Sequence, residues 1–100
     1  MQATINKQEQ GIYVVEGELN MQSVPVISKK MFELMREKQD FTLDLSAISR
    51  SDSAGVALLV EAMRFAKTNN LALSLLNLPQ QMQDIAGISG LLDILPIRKS

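Results

Sequence analysis

The chain has no cysteine, no histidine and no tryptophan, and its only aromatic side chains are Tyr13, Phe32, Phe41 and Phe65. Without thiol or imidazole it can form no disulfide, no thiolate nucleophile, no imidazole base, and none of the usual zinc, haem or iron–sulfur ligand sets. Most hydrolytic machinery is excluded, and neither catalysis nor a cofactor is expected. An excess of one charge is lacking too. Ten Lys plus Arg oppose eleven Asp plus Glu, for a formal net charge of −1, so there is neither a basic footprint nor a stacking platform for nucleic acid. The longest apolar run, Ala54 to Val60, falls far short of the roughly 20 residues a bilayer-spanning helix needs. The opening residues Met1, Gln2, Ala3 and Thr4 show neither the basic nor the apolar part of a secretory leader. A cytoplasmic chain without a membrane span is expected.

What is present is 100 residues, 46% of them apolar. That suits a single domain burying roughly 60–70% of its unfolded surface. A short strand is expected near Ala3 to Lys7, and a second, rich in aromatic and β-branched residues, runs from Gly11 through Tyr13 and Val15 to about Glu18. Ser23 stands at an N-cap position before Pro25. The spacing of Val24, Ile27, Met31, Leu34 and Met35 predicts a helix to about Lys38, with Lys30, Glu33, Arg36 and Glu37 on its solvated face. Phe41, Leu43 and Leu45 alternate with polar residues as in a strand ending near Ser46. A strongly apolar helix follows from Asp52 to about Asn69, stopped by Asn69 and Asn70.

The run Leu71 to Leu76 reads as a strand covered on both faces. Pro79 opens a further helix, broken by Gly87 and Gly90, and Ile94 to Ile97 would add a short edge strand. Strands alternating with helices in this order predict a single α/β layer domain, a mixed β-sheet with helices packed on it.

The segment Arg50, Ser51, Asp52, Ser53, Ala54, Gly55 lies at the start of the apolar helix, where unpaired N–H groups and the helix dipole favour an oxygen or an anion. Capping accounts for one of Ser51, Asp52 and Ser53. It leaves three such residues in a row, followed by Gly55, unexplained. A phosphate-cradling loop and a nucleophile elbow are both absent, and without histidine Ser53 lacks an activating base. On the following helix, Glu61, Arg64 and Thr68 share one side with Ala57. Val56, Leu58, Leu59, Val60, Ala62, Met63, Phe65 and Ala66 span roughly 220°, about double the minimum stripe of a surface helix. A neighbouring helix, a docked partner protein or a bound lipid or nucleotide would each cover that surplus.

Asp44, Leu45 and Ser46 at a strand end, a short gap, then Asp52, Ser53, Ala54, Gly55 and a helix beginning Val56, Ala57, Leu58, Leu59 resemble the signature of STAS domains. Gly17, Glu18 and Leu19, the Asn69–Asn70 break and the Leu78 to Gln81 pattern extend the resemblance along nearly the whole chain. The resemblance implies a STAS-like fold and a protein that acts by contact. Among family members, the stand-alone STAS subunit of the Mla phospholipid ABC transporter carries a small residue before the motif glycine, as Ala54 stands here.

That likeness implies a non-catalytic subunit that docks on a cytoplasmic ABC ATPase, peripheral to the inner membrane, in a system maintaining outer-membrane lipid asymmetry. Ser51, Asp52, Ser53, Ala54, Gly55, Leu58, Leu59 and Ala62 would then form the partner contact. Anti-anti-sigma factors are the alternative relatives. They bind a kinase that phosphorylates a serine immediately before the motif glycine; that position is Ala54 here, and Ser53 next to it is the hydroxyl available for such a phosphoswitch.

Overall fold

The computed structural model of the chain describes residues 3–98. Its elements are β1 (Thr4–Glu9), β2 (Ile12–Leu19), α1 (Val24–Met35), β3 (Asp40–Ser51), α2 (Ser53–Thr68), β4 (Ala72–Leu76), α3 (Gln80–Ile88) and β5 (Ile97–Arg98). The sheet order is β1-β2-β3-β4-β5. β1 and β2 form an antiparallel hairpin, and the remaining neighbours are parallel, so the sheet is mixed. Gly11 makes the hairpin turn at φ +79, a backbone conformation that glycine adopts without strain.

Each helix connects adjacent parallel strands, always stepping in the same direction across the sheet. Right-handed crossovers therefore put all three helices on one face. Burial follows the strand period: Ile5, Tyr13, Val15, Leu19, Phe41, Leu43, Leu45 and Leu75 are buried beneath the helices. On the opposite face the aligned row Asn6, Val14, Asp44, Leu76 is exposed or half-buried. β4 is therefore covered on one side only. The expectation of a strand buried on both faces fails here, and of its apolar residues Leu75 alone is fully enclosed.

Against the sheet pack Ile27, Met31 and Met35 of α1, Met82 and Ala86 of α3, and from α2 Val56, Leu58, Leu59, Ala62 and Ala66. Each large apolar side chain enclosed in this way stabilises the fold by about 1.5–3 kcal/mol. The broad apolar arc of α2 is covered by α1, α3, β3 and β4. Phe65 of α2 stacks on Phe32 of α1, with ring centroids 5.1 Å apart. Ala57, Glu61, Arg64 and Thr68 form the exposed side. The surplus is thus met within the domain.

Helix ends match the turn chemistry of the sequence. Asn70 at φ 55 and Gly90 at φ +71 take the left-handed conformation, and the residues after them, Leu71 and Leu91, donate their N–H groups to Ala66 and Ala86 carbonyls, the closing bond of a Schellman motif. Gly87 lies inside α3, so the Gly87 to Gly90 run is a helix stop. α1 ends at Met35 rather than Lys38, because Arg36 turns extended at ψ 131 and Glu37 follows at φ 66. Ser23 occupies the N-cap of α1 without capping it. Its hydroxyl donates to the Glu18 carbonyl at 2.7 Å and accepts from the Asn20 N–H, locking the β2–α1 turn instead. No helix among the described residues is long and apolar enough to cross a membrane.

Candidate functional site

The site is built at the end of β3, which runs five residues beyond its expected end at Ser46. Pairing with β2 goes from Val14–Asp44 to Glu16–Ala47, and from Gly17–Ile48 to Glu18–Arg50. Each step carries one extra residue in β3, a β-bulge. The bulges break the in–out alternation that marks a strand in sequence. The first is held by Asp44, whose Oδ1 accepts from the Ser46 N–H at 3.0 Å and from the Asn77 amide at 3.1 Å. Partial burial pushes the Asp44 pKa up, but the hydrogen bonds from Ser46 and Asn77 outweigh it and hold the carboxyl below its ordinary value.

Past the second bulge, Ser51 pairs with Leu19 and is buried. Its N–H donates to Gln81 Oε1 of α3 at 2.9 Å and its hydroxyl to the Asp52 carbonyl at 3.0 Å. The Asp52 N–H donates to the Leu19 carbonyl at 3.2 Å. Asp52 is the N-cap of α2, its Oδ1 accepting from the Ala54 N–H at 2.8 Å, which satisfies one of the helix's free donors. A Cβ at Gly55 would overlap Ser51 Oγ and stand 3.1 Å from Leu19 Cβ. Glycine at this position therefore lets α2 start directly against β2 and β3.

Ser53 is exposed at the first turn of α2, and its hydroxyl makes no hydrogen bond among the described residues. It borders two depressions. One is a polar cleft of about 510 Å³ lined by Glu18, Leu19, Arg50, Ser51, Asp52, Ser53, Gln81 and Ile85. The other is an apolar groove of about 340 Å³ between α2 and α3 that includes Val56, Ala57, Val60, Ile85 and Leu91. The Asp52 carboxylate beside Ser53 caps α2 through Oδ1.

Ser51, Asp52, Ser53, Ala54 and Gly55 span the β3–α2 turn and differ in exposure. Asp52 and Ser53 are exposed and Ala54 half-exposed, whereas Ser51 and Gly55 are buried and shape the turn. Leu58, Leu59 and Ala62 do not belong to the surface. They are between 0% and 2% exposed, because the face of α2 that carries them is the one laid on the sheet and on α1. As partner contacts these three are corrected to core residues.

Glu18, Gln81 and Ile85 line the cleft but escaped the sequence reading as site residues. Gln81 lies thirty positions from Ser51, and no local pattern announces a contact made only by the α3 crossover. For Glu18, the register of β2 against β3 was the missing information. The exposed Met21 and Val26 flank the same end of the sheet from the β2–α1 turn and the start of α1.

The STAS domain model of protein families matches residues 2–100. The chain is 30% identical over 94 residues to the anti-sigma-B factor antagonist of Bacillus subtilis (strain 168), covering 93% of this chain and 86% of that protein. Among solved structures, an anti-sigma factor antagonist from Mycobacterium paratuberculosis superposes with a TM-score of 0.71 at 18% identity, covering 98% of this chain and 85% of that one. The phosphorylated form of the Bacillus cell fate determinant SpoIIAA gives a TM-score of 0.69 at 22% identity, covering 98% and 90%. The mixed five-stranded sheet, the motif at the start of α2 and a match along nearly the full length agree: this chain belongs to the STAS domain family.

Proposed function

We propose that the chain is a non-catalytic binding module of the anti-sigma-factor-antagonist kind, which engages a regulatory protein partner through the surface around Ser53. The observation that carries this reading is the exposed Ser53 hydroxyl on a helix start fixed by the Asp52 cap and the Ser51–Gln81 bond. The likeness to the Bacillus subtilis antagonist over almost the whole chain supports it. A rigid frame around a single free hydroxyl makes Ser53 the natural acceptor for a partner kinase, and the added charge of about −1.5 to −2 would change the charge and shape of the surface the partner meets. Asp52, Ser53 and Ala54 make the contact, while Ser51 and Gly55 hold its shape.

The test pairs the chain with the anti-sigma factor kinase of its own genome and ATP. A complex should form, Ser53 should gain about 80 Da, the mass of one phosphate on a hydroxyl, and Ser53→Glu should abolish the complex. No complex and no mass gain would overturn the reading.

A second reading is favoured by Ala54, the small residue directly before Gly55: docking on the ATPase of a phospholipid ABC transporter. Co-expression with such an ATPase decides between the two. A complex with the ATPase that Ser53→Glu breaks, in a chain that no kinase modifies, supports the transporter.

A further inference from the structure

At the opposite end of the sheet from Ser53 lies a cleft of about 310 Å³ lined by Lys7, Gln10, Gly11, Tyr13, Lys38, Gln39 and Asp40. Tyr13 is 3% exposed and its ring stacks on the buried Phe41, centroids 4.2 Å apart. Among the described residues its hydroxyl makes no hydrogen bond, and no side-chain oxygen or nitrogen is both sealed from solvent and unpartnered. The hydroxyl is therefore the part of Tyr13 that opens into the cleft, an uncommitted polar group on a ring stacked against Phe41.

Lys7 is the cross-strand partner of Tyr13 in the β1–β2 hairpin, so both side chains stand on the same face of the sheet. α1 has ended before this point, which leaves Lys7 uncovered, and Lys38 reaches the cleft from the α1–β3 connection. Neither lysine forms an ion pair among the described residues; the ion pair found there is Arg64–Glu61. Asp40 offsets one of the two positive charges. The backbone of the rim is fixed by the Thr42 N–H on the Gly11 carbonyl and the Ala72 N–H on the Gln39 carbonyl, both at 2.8 Å.

We propose that this cleft binds a small organic phosphate, with Lys7, Lys38 and the Tyr13 hydroxyl donating to the oxyanion. Asp40 and the Gln10 and Gln39 amides meet the hydroxyl groups of the attached carbon skeleton. Ammonium groups make strong charge-assisted bonds to phosphate oxygens, and about 300 Å³ is the lower end of the range for small-molecule sites. The net charge of the cleft favours an anion, and the single carboxylate favours one that also carries donors. This site is independent of the partner surface around Ser53 and stands or falls without it.

Backbone amide NMR of the whole chain, titrated with ribose 5-phosphate, with inorganic phosphate, and with sodium chloride at matched ionic strength, tests the assignment. Ribose 5-phosphate should give saturable shifts at Gly11, Tyr13, Lys38 and Gln39, with half-saturation below about 10 mM, the weak end of specific binding. Inorganic phosphate should bind the same residues more weakly, and chloride should not reproduce the shifts. Lys7→Ala with Lys38→Ala should weaken binding by at least about tenfold, the loss expected for charge-assisted hydrogen bonds. Tyr13→Phe should weaken it severalfold while the unfolding temperature stays close to that of the parent. Shifts that do not saturate, that chloride reproduces, or that survive removal of both lysines would overturn the proposal.

Discussion

An alanine at Gly55 would gain about 1 kcal/mol of helix propensity over glycine, yet its Cβ would overlap Ser51 Oγ and press on Leu19. Packing wins, because Ser51 is buried and its hydroxyl is tied to the Asp52 carbonyl. Gly55→Ala should lower the unfolding free energy by about 1–3 kcal/mol, the usual cost of overpacking, as read from urea denaturation. Adding Ser51→Ala should return part of that loss, since the overlapping atom is then gone.

Asp44 makes a prediction in pH. Its folded pKa lies below the unfolded value, so its contribution is complete above about pH 4 and fades as the pH falls through the folded pKa. The stability difference between the parent and Asp44→Asn, largest at neutral pH, should therefore shrink in denaturation curves taken below about pH 4. A difference that stays constant across that range would contradict the role of Asp44 as a charged acceptor. At this scale the sequence was informative wherever the cause was local. Asp52 could be recognised as a cap from its neighbours alone, whereas the Gln81 contact with Ser51 depends on where a whole helix lands.

Among the elements, α2 joins the layers most directly. Phe65 is half-buried, and its stack on Phe32 ties α2 to α1. Phe65→Ala should destabilise the chain by about 2 kcal/mol, below the full cost of removing a buried phenylalanine because part of the ring is already in water. Thermal unfolding followed by circular dichroism would measure it.

The same element shows how hydrophobic periodicity can mislead. An apolar arc of roughly 220° is more than one packing surface requires, but not more than a sheet and two flanking helices require together. β3 was readable through Phe41, Leu43 and Leu45, whose alternation is undisturbed, and unreadable from Ser46 on, where the bulges scramble it. Ser23 shows a different gap. Its position at the start of α1 was apparent, but its hydroxyl serves the preceding turn, a choice settled by the path of β2.

For the whole molecule, near-balanced charge sets an expectation about encounter. With a net charge of −1, little long-range steering is available. The association rate with a protein partner should fall by less than about threefold between roughly 50 and 500 mM salt, in contrast to the steep dependence of strongly steered pairs. Stopped-flow or surface-based kinetics would show it, and a tenfold decline would point to a concentrated charge patch at the contact. The one-sided sheet also belongs to this scale. Alternation in β3 and the order of elements foretold a layer of helices on a mixed sheet, but the apolar run of β4 pointed to cover on both faces. Strand order, which fixes the side taken by each crossover, was needed to see that one face stays open.

The two bulges of β3 also govern which changes of length the chain can tolerate. Without them the register that pairs Tyr13 with Leu43 would bring Leu19 opposite Ser49; with them it reaches Ser51. Two extra residues leave the facing of the strand unchanged while advancing the start of α2 along the chain. Loss of one residue between Ser46 and Arg50 closes one bulge and keeps Ser51 opposite Leu19, facing the core. Loss of two closes both bulges with the same pairing, but without the irregular stretch that carries the turn. Over this segment, a deletion is absorbed as long as a bulge remains to close.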